Sequence, residues 1–233
     1  MIRKTSAFVA ALLLLSAACG AMAAGKLTVT EEAFFVVPYN DYYEGIIFAA
    51  ITNTGNKPSQ FNSSLLELFD KEGNSLSAES NSNCYPDVLQ PGETGYIMEY
   101  SPVESAKTRD FIADHLLSVT GQGSITRTIT AYPVSNARYE KAMEPGDNYK
   151  YVVCRVENNT DQVLYNITVL FVVRDAAGKL IYVTTYGLSR MGLLPHSAVE
   201  VRDSVDWEIE YYMKEANLEI AGVEAFAYKV AYK

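Results

Sequence analysis

The chain carries two histidines, three cysteines and one tryptophan in 233 residues, and each scarcity removes a class of function. So few imidazoles and thiols leave little from which to build a zinc centre, whose ligands are mainly those two groups, so neither a metal nor another cofactor is expected. Bases are short as well: 19 Lys and Arg stand against 28 Asp and Glu, a net charge of −9. A surface that neutralises phosphates is therefore not expected, and nucleic acid is excluded as a partner. No stretch reaches the roughly 18 apolar residues that read as a membrane-spanning helix. Helix signals are scarce too; only residues 105–117 and 207–219 show mixed helix and strand character.

What is present is strand. Tyrosine, with 17 copies, leads an aromatic content that favours sheet over helix bundle, and short apolar runs recur between Asn, Gly and Pro turns. The hydrophobic content is too high for a disordered chain. The fold class expected is all-β.

The first residues read as an address. Arg3 and Lys4 give a basic start, residues 7–15 an apolar run, and Ala21-Met22-Ala23 a small-x-small cleavage pattern, together a bacterial-type secretory signal peptide spanning residues 1–23. Its removal leaves 17 bases and 28 acids, and the protein is expected to be extracytoplasmic. Leu15-Ser16-Ala17-Ala18-Cys19 offers an alternative, a lipoprotein signal in which Cys19 is lipidated and anchors the chain to the envelope. Ser16 stands where such signals usually carry Leu, Val or Ile. The other cysteines, Cys84 and Cys154, fall at non-equivalent places and do not form a disulfide framework. Cys154 reads as a small buried strand residue and Cys84 as a loop thiol.

The rest of the chain repeats. At a shift of 105 residues Asn53 falls on Asn158, Leu65 on Leu170, Asp70 on Asp175, Gly73 on Gly178 and Leu89 on Leu194. Such matches of turn and core residues at one offset mark a duplicated domain. Thr130-Ala131-Tyr132 and Val230-Ala231-Tyr232 also resemble each other, at a shift of 100, which puts the boundary near Pro133. The expected domains are residues 24–133 and 134–233, each of ordinary β-sandwich size. Each has an apolar run (residues 45–51 and 149–156) ending in an Asn-rich turn. A strand follows, then a Gly-containing hairpin bend (Asp70 to Asn74; Asp175 to Lys179), a return strand that is polar in the first copy, and a Pro turn. Phe226, Tyr228, Val230 and Tyr232 alternate as a half-buried closing strand.

Leu66-Glu67-Leu68-Phe69-Asp70 with Gly73, and Phe171-Val172-Val173-Arg174-Asp175 with Gly178, resemble the signature strand and turn of the FxLYD family of secreted, immunoglobulin-like domains, with the Asn turns upstream and Leu89-Gln90-Pro91-Gly92-Glu93 downstream in the family's places. Leu66 replaces the family's first Phe, Phe69 its Tyr and Arg174 its aromatic, and Leu194-Pro195-His196-Ser197 lacks the Gly-Glu. The resemblance covers most of residues 45–100 and 149–205. It implies two tandem immunoglobulin-like β-sandwiches in a bacterial envelope protein, and it brings no catalytic residue to carry over.

Chemistry-bearing residues are few. Asp70-x-Glu72-Gly73-Asn74 resembles the start of a calcium loop but lacks the distal bidentate Glu, and the second copy has lost the second acid, so a hairpin turn is expected there. His115 and His196 lie in a weakly structured stretch and a Pro turn, away from any nucleophile-elbow motif. The acids are uneven: residues 24–133 carry 14 against six bases, residues 134–233 carry 14 against 11, so the first copy is the electronegative one. Three tyrosines, Tyr39, Tyr42 and Tyr43, crowd one loop, and Tyr211 with Tyr212 form a second knot. Tyrosine presents a large face and a hydroxyl at low entropy cost, which suits recognition. The function expected is a non-catalytic binding module, not an enzyme, meeting a protein or glycan at the cell surface through Tyr39, Tyr42 and Tyr43. The alternative is a secreted hydrolase using a carboxylate pair. Export itself is directly testable: N-terminal sequencing of the exported chain is expected to begin at Ala24, and a diacylated Cys19 would replace secretion by anchoring.

Overall fold

The computed structural model describes residues 25–141, 150–188 and 192–233; residues 1–23, expected from the sequence to be a signal peptide, and with them Cys19, lie outside the described residues. Among the described residues the first half contains β1 (Leu27–Tyr39), β2 (Tyr42–Asn53), β3 (Ser59–Phe69), β4 (Ser75–Asn81), β5 (Val88–Leu89), β6 (Thr94–Val103) and β7 (Asp114–Gln122). The second contains β8 (Arg127–Tyr132), β9 (Val134–Lys141), β10 (Lys150–Asn158), β11 (Ile167–Arg174), β12 (Leu180–Leu188), β13 (Ser197–Ser204), the helix α1 (Trp207–Glu215) and β14 (Gly222–Tyr232). Every strand pairing is antiparallel, as an all-β chain with short connections permits.

Four sheets result. Sheet I has the order β1-β2-β6 and faces sheet II, in which β3 lies between β4 and β7 and pairs briefly with β5. Sheet III has the order β13-β10-β9, and sheet IV the order β12-β11-β14-β8. Val36, Ile47, Leu66, Leu68 and Val103 close one end of the space between sheets I and II, and Ala49, Ile51, Phe61, Cys84 and Ile97 the other. The polar strand β4 pairs only with β3 and is an edge, where exposed serines cost little and discourage further pairing. Residues 105–117 give one 3-10 turn, Arg109–Phe111, before β7 begins.

The repeat is visible bond by bond. Asn53 is fully buried; its Nδ2 donates to the Lys57 and Leu89 carbonyls while its Oδ1 accepts from the Gly55 amide. Asn158, also fully buried, does the same with Gln162, Leu193 and Thr160. Asp70 Oδ1 accepts from the amides of Glu72 and Asn74, and Asp175 Oδ1 from those of Ala177 and Lys179. The Asn74 side-chain and backbone bonds hold the Asp70 carboxyl below its ordinary pKa. Both bends need a left-handed residue, and Gly73 (φ 84°) and Gly178 (φ 80°) supply it.

One equivalence slips. Leu89 pairs with Ser59 in the ladder, and the matching bridge is Leu164 with Leu193. Leu193 is 7% exposed and Leu194 62%, so the residue equivalent to Leu89 is Leu193, at a shift of 104. A Leu-Leu pair looks the same at either register in sequence; the bridge to Leu164 and burial separate them. A second difference concerns the end of the first half. Arg127–Tyr132, expected to close that copy, instead lies beside β14 in sheet IV, with Ile129 opposite Val230 and Thr128 opposite Ala231. The two similar tripeptides lie on neighbouring strands, with residues 130–132 opposite 227–229, and the strand equivalent to β14 is β7, since these two pair with β11 and β3 respectively. Alternation identifies a strand but not its partner.

The halves also share their interior. Ala33, Phe35, Ile46, Phe48 and Ala50, on the other face of sheet I, belong to the same apolar cluster as Val169, Phe171, Tyr182 and Met213 of the second half. The Phe48 and Tyr182 rings meet edge-on with centroids 5.2 Å apart, and Phe35 stacks on Tyr212 of α1 at 3.8 Å. Glu31 of β1 accepts from Arg174 (2.8 Å) and from the Leu180 amide (2.6 Å). The arrangement is side by side, not end to end. Replacing Asn53 by Ala strands two carbonyls and one amide in the interior, and urea unfolding is expected to show a loss of about 2–4 kcal/mol, with Asn158→Ala costing a similar amount.

Candidate functional site

Three places gather polar or exposed aromatic groups. The first is the tip of the β1–β2 hairpin, which holds the tyrosines singled out in the sequence. Asn40, left-handed at φ 53°, lets Tyr39 and Tyr42 lie directly across the turn, with ring centroids 5.5 Å apart. Tyr39 is 38% exposed. Tyr43 differs from its neighbours: it packs against the Val36–Leu68 cluster, and its amide donates to the Ala106 carbonyl. The structure thus pairs Tyr39 with Tyr42 at the surface and assigns Tyr43 partly to the core. Burial and then the nearby Tyr39, Glu44, Glu104 and Asp41 raise the Tyr42 hydroxyl above its ordinary pKa, so the tip is acidic as well as aromatic. Tyr211 of the second knot is exposed, and its neighbour Tyr212 is the one stacked on Phe35.

The second place is an acidic seam between the halves. Glu44 of β2 is buried at 6% exposure, and burial, followed by the charge of Glu208, pushes its carboxyl up to about 7. Asp206, just before α1, is raised by burial and partly restored by the hydroxyls of Tyr182 and Tyr100, although Tyr182 Oη makes no hydrogen bond of regular geometry. Asp203 of β13 accepts from Thr184 at 2.8 Å and is likewise raised, chiefly by burial. Acids spaced this far apart in sequence gave no motif; only the docking of α1 and β12 onto sheet I assembles them.

The third is a cavity of about 640 Å3 where sheet IV meets the β5–β6 end of the first half. The ladder register puts Arg127, Ile129 and Ala131 of β8 on the same face as Phe226, Tyr228 and Tyr232 of β14. Val88, Tyr96, Leu170, Ala227 and Tyr228, all buried, form its depth, and Gln90, Phe226 and Lys233, all exposed, its mouth. Arg127 joins the halves here. It is paired with the buried Asp87, and its guanidinium lies 5.1 Å over the Tyr232 ring. The adjoining Thr126 donates to Gln60 of β3 through both its amide (2.9 Å) and its hydroxyl (3.1 Å). The alternating aromatics of the closing strand were legible in sequence; that their face lines a cavity was not.

The histidines are elsewhere and apart from each other. His115 stacks on Phe34 at 4.0 Å and faces Glu32 at 3.2 Å; His196 sits in its Pro turn, 2.8 Å from Asp161. Among the described residues the two cysteines are buried and form no disulfide, Cys84 between sheets I and II and Cys154 in the shared interior, and burial raises both thiols, Cys154 to about 12. Such thiols are protonated and unreactive. No protein-family model matches the chain, and no curated protein matches it.

Glu44 gives a pH prediction. An acid whose pKa is higher in the folded state than in the unfolded chain adds stability that is full below its ordinary value of 4.5 and is lost as pH rises through about 7. Glu44→Gln is therefore expected to be more stable than the parent at pH 8, with a melting temperature roughly 2–4 °C higher, and to lose that advantage at pH 4. Calorimetry at the two pH values checks it.

Proposed function

We propose that the chain is a non-catalytic extracytoplasmic binding module made of two immunoglobulin-like β-sandwiches of the FxLYD type, exported by its N-terminal signal or held to the envelope through Cys19. The observation that carries the reading is the tilted aromatic pair Tyr39 and Tyr42, ring centroids 5.5 Å apart, on a two-residue turn. Sheet I fixes the pair in place while leaving its faces open, the usual division of labour between a sandwich and its loops. Asp41 and Glu104, both exposed beside it, outweigh Lys107, which lies 3.4 Å from Asp41, and favour a protein partner with a basic face over a neutral glycan.

The test is a pull-down of the mature protein against envelope extract, run beside a glycan array, with Tyr39→Ala/Tyr42→Ala as the comparison. Loss of capture by at least about tenfold is expected, the scale for removing a pair of aromatic hot-spot side chains. Tyr43 is left intact because its removal would also disturb the core. Capture unchanged by the double substitution would overturn the tip assignment. Turnover of a glycan would replace binding by hydrolysis, and Glu44, raised beside Glu208, is then the carboxyl to change.

A further inference from the structure

We propose that the cavity between sheet IV and the β5–β6 end of the first half is a binding site for a small aromatic organic anion, independent of the tyrosine tip. Its volume, about 640 Å3, falls in the range of about 300–1,000 Å3 that houses small organic ligands. Its walls are mainly apolar, and three aromatic rings, Tyr96, Phe226 and Tyr228, present faces or edges to the interior. Flat rings stack favourably on such surfaces, whereas a flexible chain would give up more conformational freedom to fill them.

The polar groups of the lining set the rest of the ligand. Tyr228 is 4% exposed, lines the cavity, and its hydroxyl has no hydrogen-bond partner. Arg127 lines it too; its Nη1 is held by Asp87, but its buried Nε also lacks a partner. Both are donors; the Oδ1 of Asp87, behind the cavity wall, is an acceptor that also lacks a hydrogen bond, but its carboxylate is already paired with Arg127, so it is the unpaired donors that a ligand bearing an acceptor would satisfy. Lys233 at the mouth adds a positive charge, set against Glu93, whose carboxylate is engaged by the Gln90 amide at 2.7 Å. A single carboxylate or sulfonate on an aromatic body fits these donors. A dianion would have only the side of Arg127 not taken by Asp87 to pair with.

The mature protein can be titrated with 1-anilinonaphthalene-8-sulfonate and with the neutral N-phenyl-1-naphthylamine, which lacks the sulfonate. Saturable one-to-one binding of the sulfonate is expected, with a matching rise in melting temperature, because a ligand of the folded state alone stabilises it. Tyr228→Phe is expected to weaken the sulfonate about five- to tenfold and leave the neutral probe unchanged. Ala131→Trp, which places an indole on the exposed β8 position over the cavity, is expected to abolish binding of both. 1-Naphthoate should displace the sulfonate more strongly than dodecanoate does. Absence of saturable binding by the parent protein overturns the site, as does binding that survives Ala131→Trp in a chain with an unchanged melting temperature. If that variant does not fold, Tyr228→Phe decides: equal effects on the two probes overturn the acceptor reading. Stronger displacement by dodecanoate overturns the aromatic class.

Discussion

Strand β2 is buried on both faces, and the rest of the molecule is arranged to keep it so. Ile47, Ala49 and Ile51 point toward sheet II, and Ile46, Phe48 and Ala50 toward the second half. A strand with one wet face alternates; one without reads as a continuous apolar run, as residues 45–51 do. Removing either neighbour would expose a row of large side chains to water, at about 25 cal/mol for each Å2 of apolar surface. The second half therefore covers the first as an integral layer. Phe48 against Tyr182 and Phe35 against Tyr212 are the aromatic contacts of that covering.

The same constraint explains where the polar groups went. Sheet I meets the second half with Glu31 and Glu44 on its surface as well as its hydrophobes. Glu31 finds Arg174, a residue that stands where the resembled family carries an aromatic, and the Leu180 amide. Glu44 finds no cation, so its burial appears as a raised pKa. Both outcomes follow from docking an acidic half-molecule face-on: Glu31 meets a guanidinium and an amide, and Glu44, buried beside Glu208, holds its proton more tightly.

Much of the strand plan was legible in the chain itself. The Asn53 and Asn158 turns, the Asp70 and Asp175 bends with their glycines, the polar edge strand and the alternating closing strand all carry local chemistry that dictates local structure. What was not legible depends on partners distant in sequence. The apolar run of β2 signals two buried faces but not what covers them. Thr130-Ala131-Tyr132 and Val230-Ala231-Tyr232 lie on paired strands and do not mark equivalent ends of two copies, and Leu193 is told from Leu194 by its bridge to Leu164 and its burial. For the candidate sites the division is the same. Tyr39 and Tyr42 are three residues apart and meet across a single turn, whereas the acidic seam and the cavity exist only because the halves dock.

The crossing of β8 into sheet IV ties the halves in a further way. The segment leaving β7 runs directly into a ladder with the chain's last strand, anchored on one side by Gln60 and Asp87 and on the other by β14. Neither half can lose its order without breaking the neighbour's hydrogen bonds as well as its apolar cover. A protein assembled from two similar units in this manner is expected to unfold as one cooperative body, with heat absorption in a single peak and no independently folded fragment released by a protease that nicks the junction.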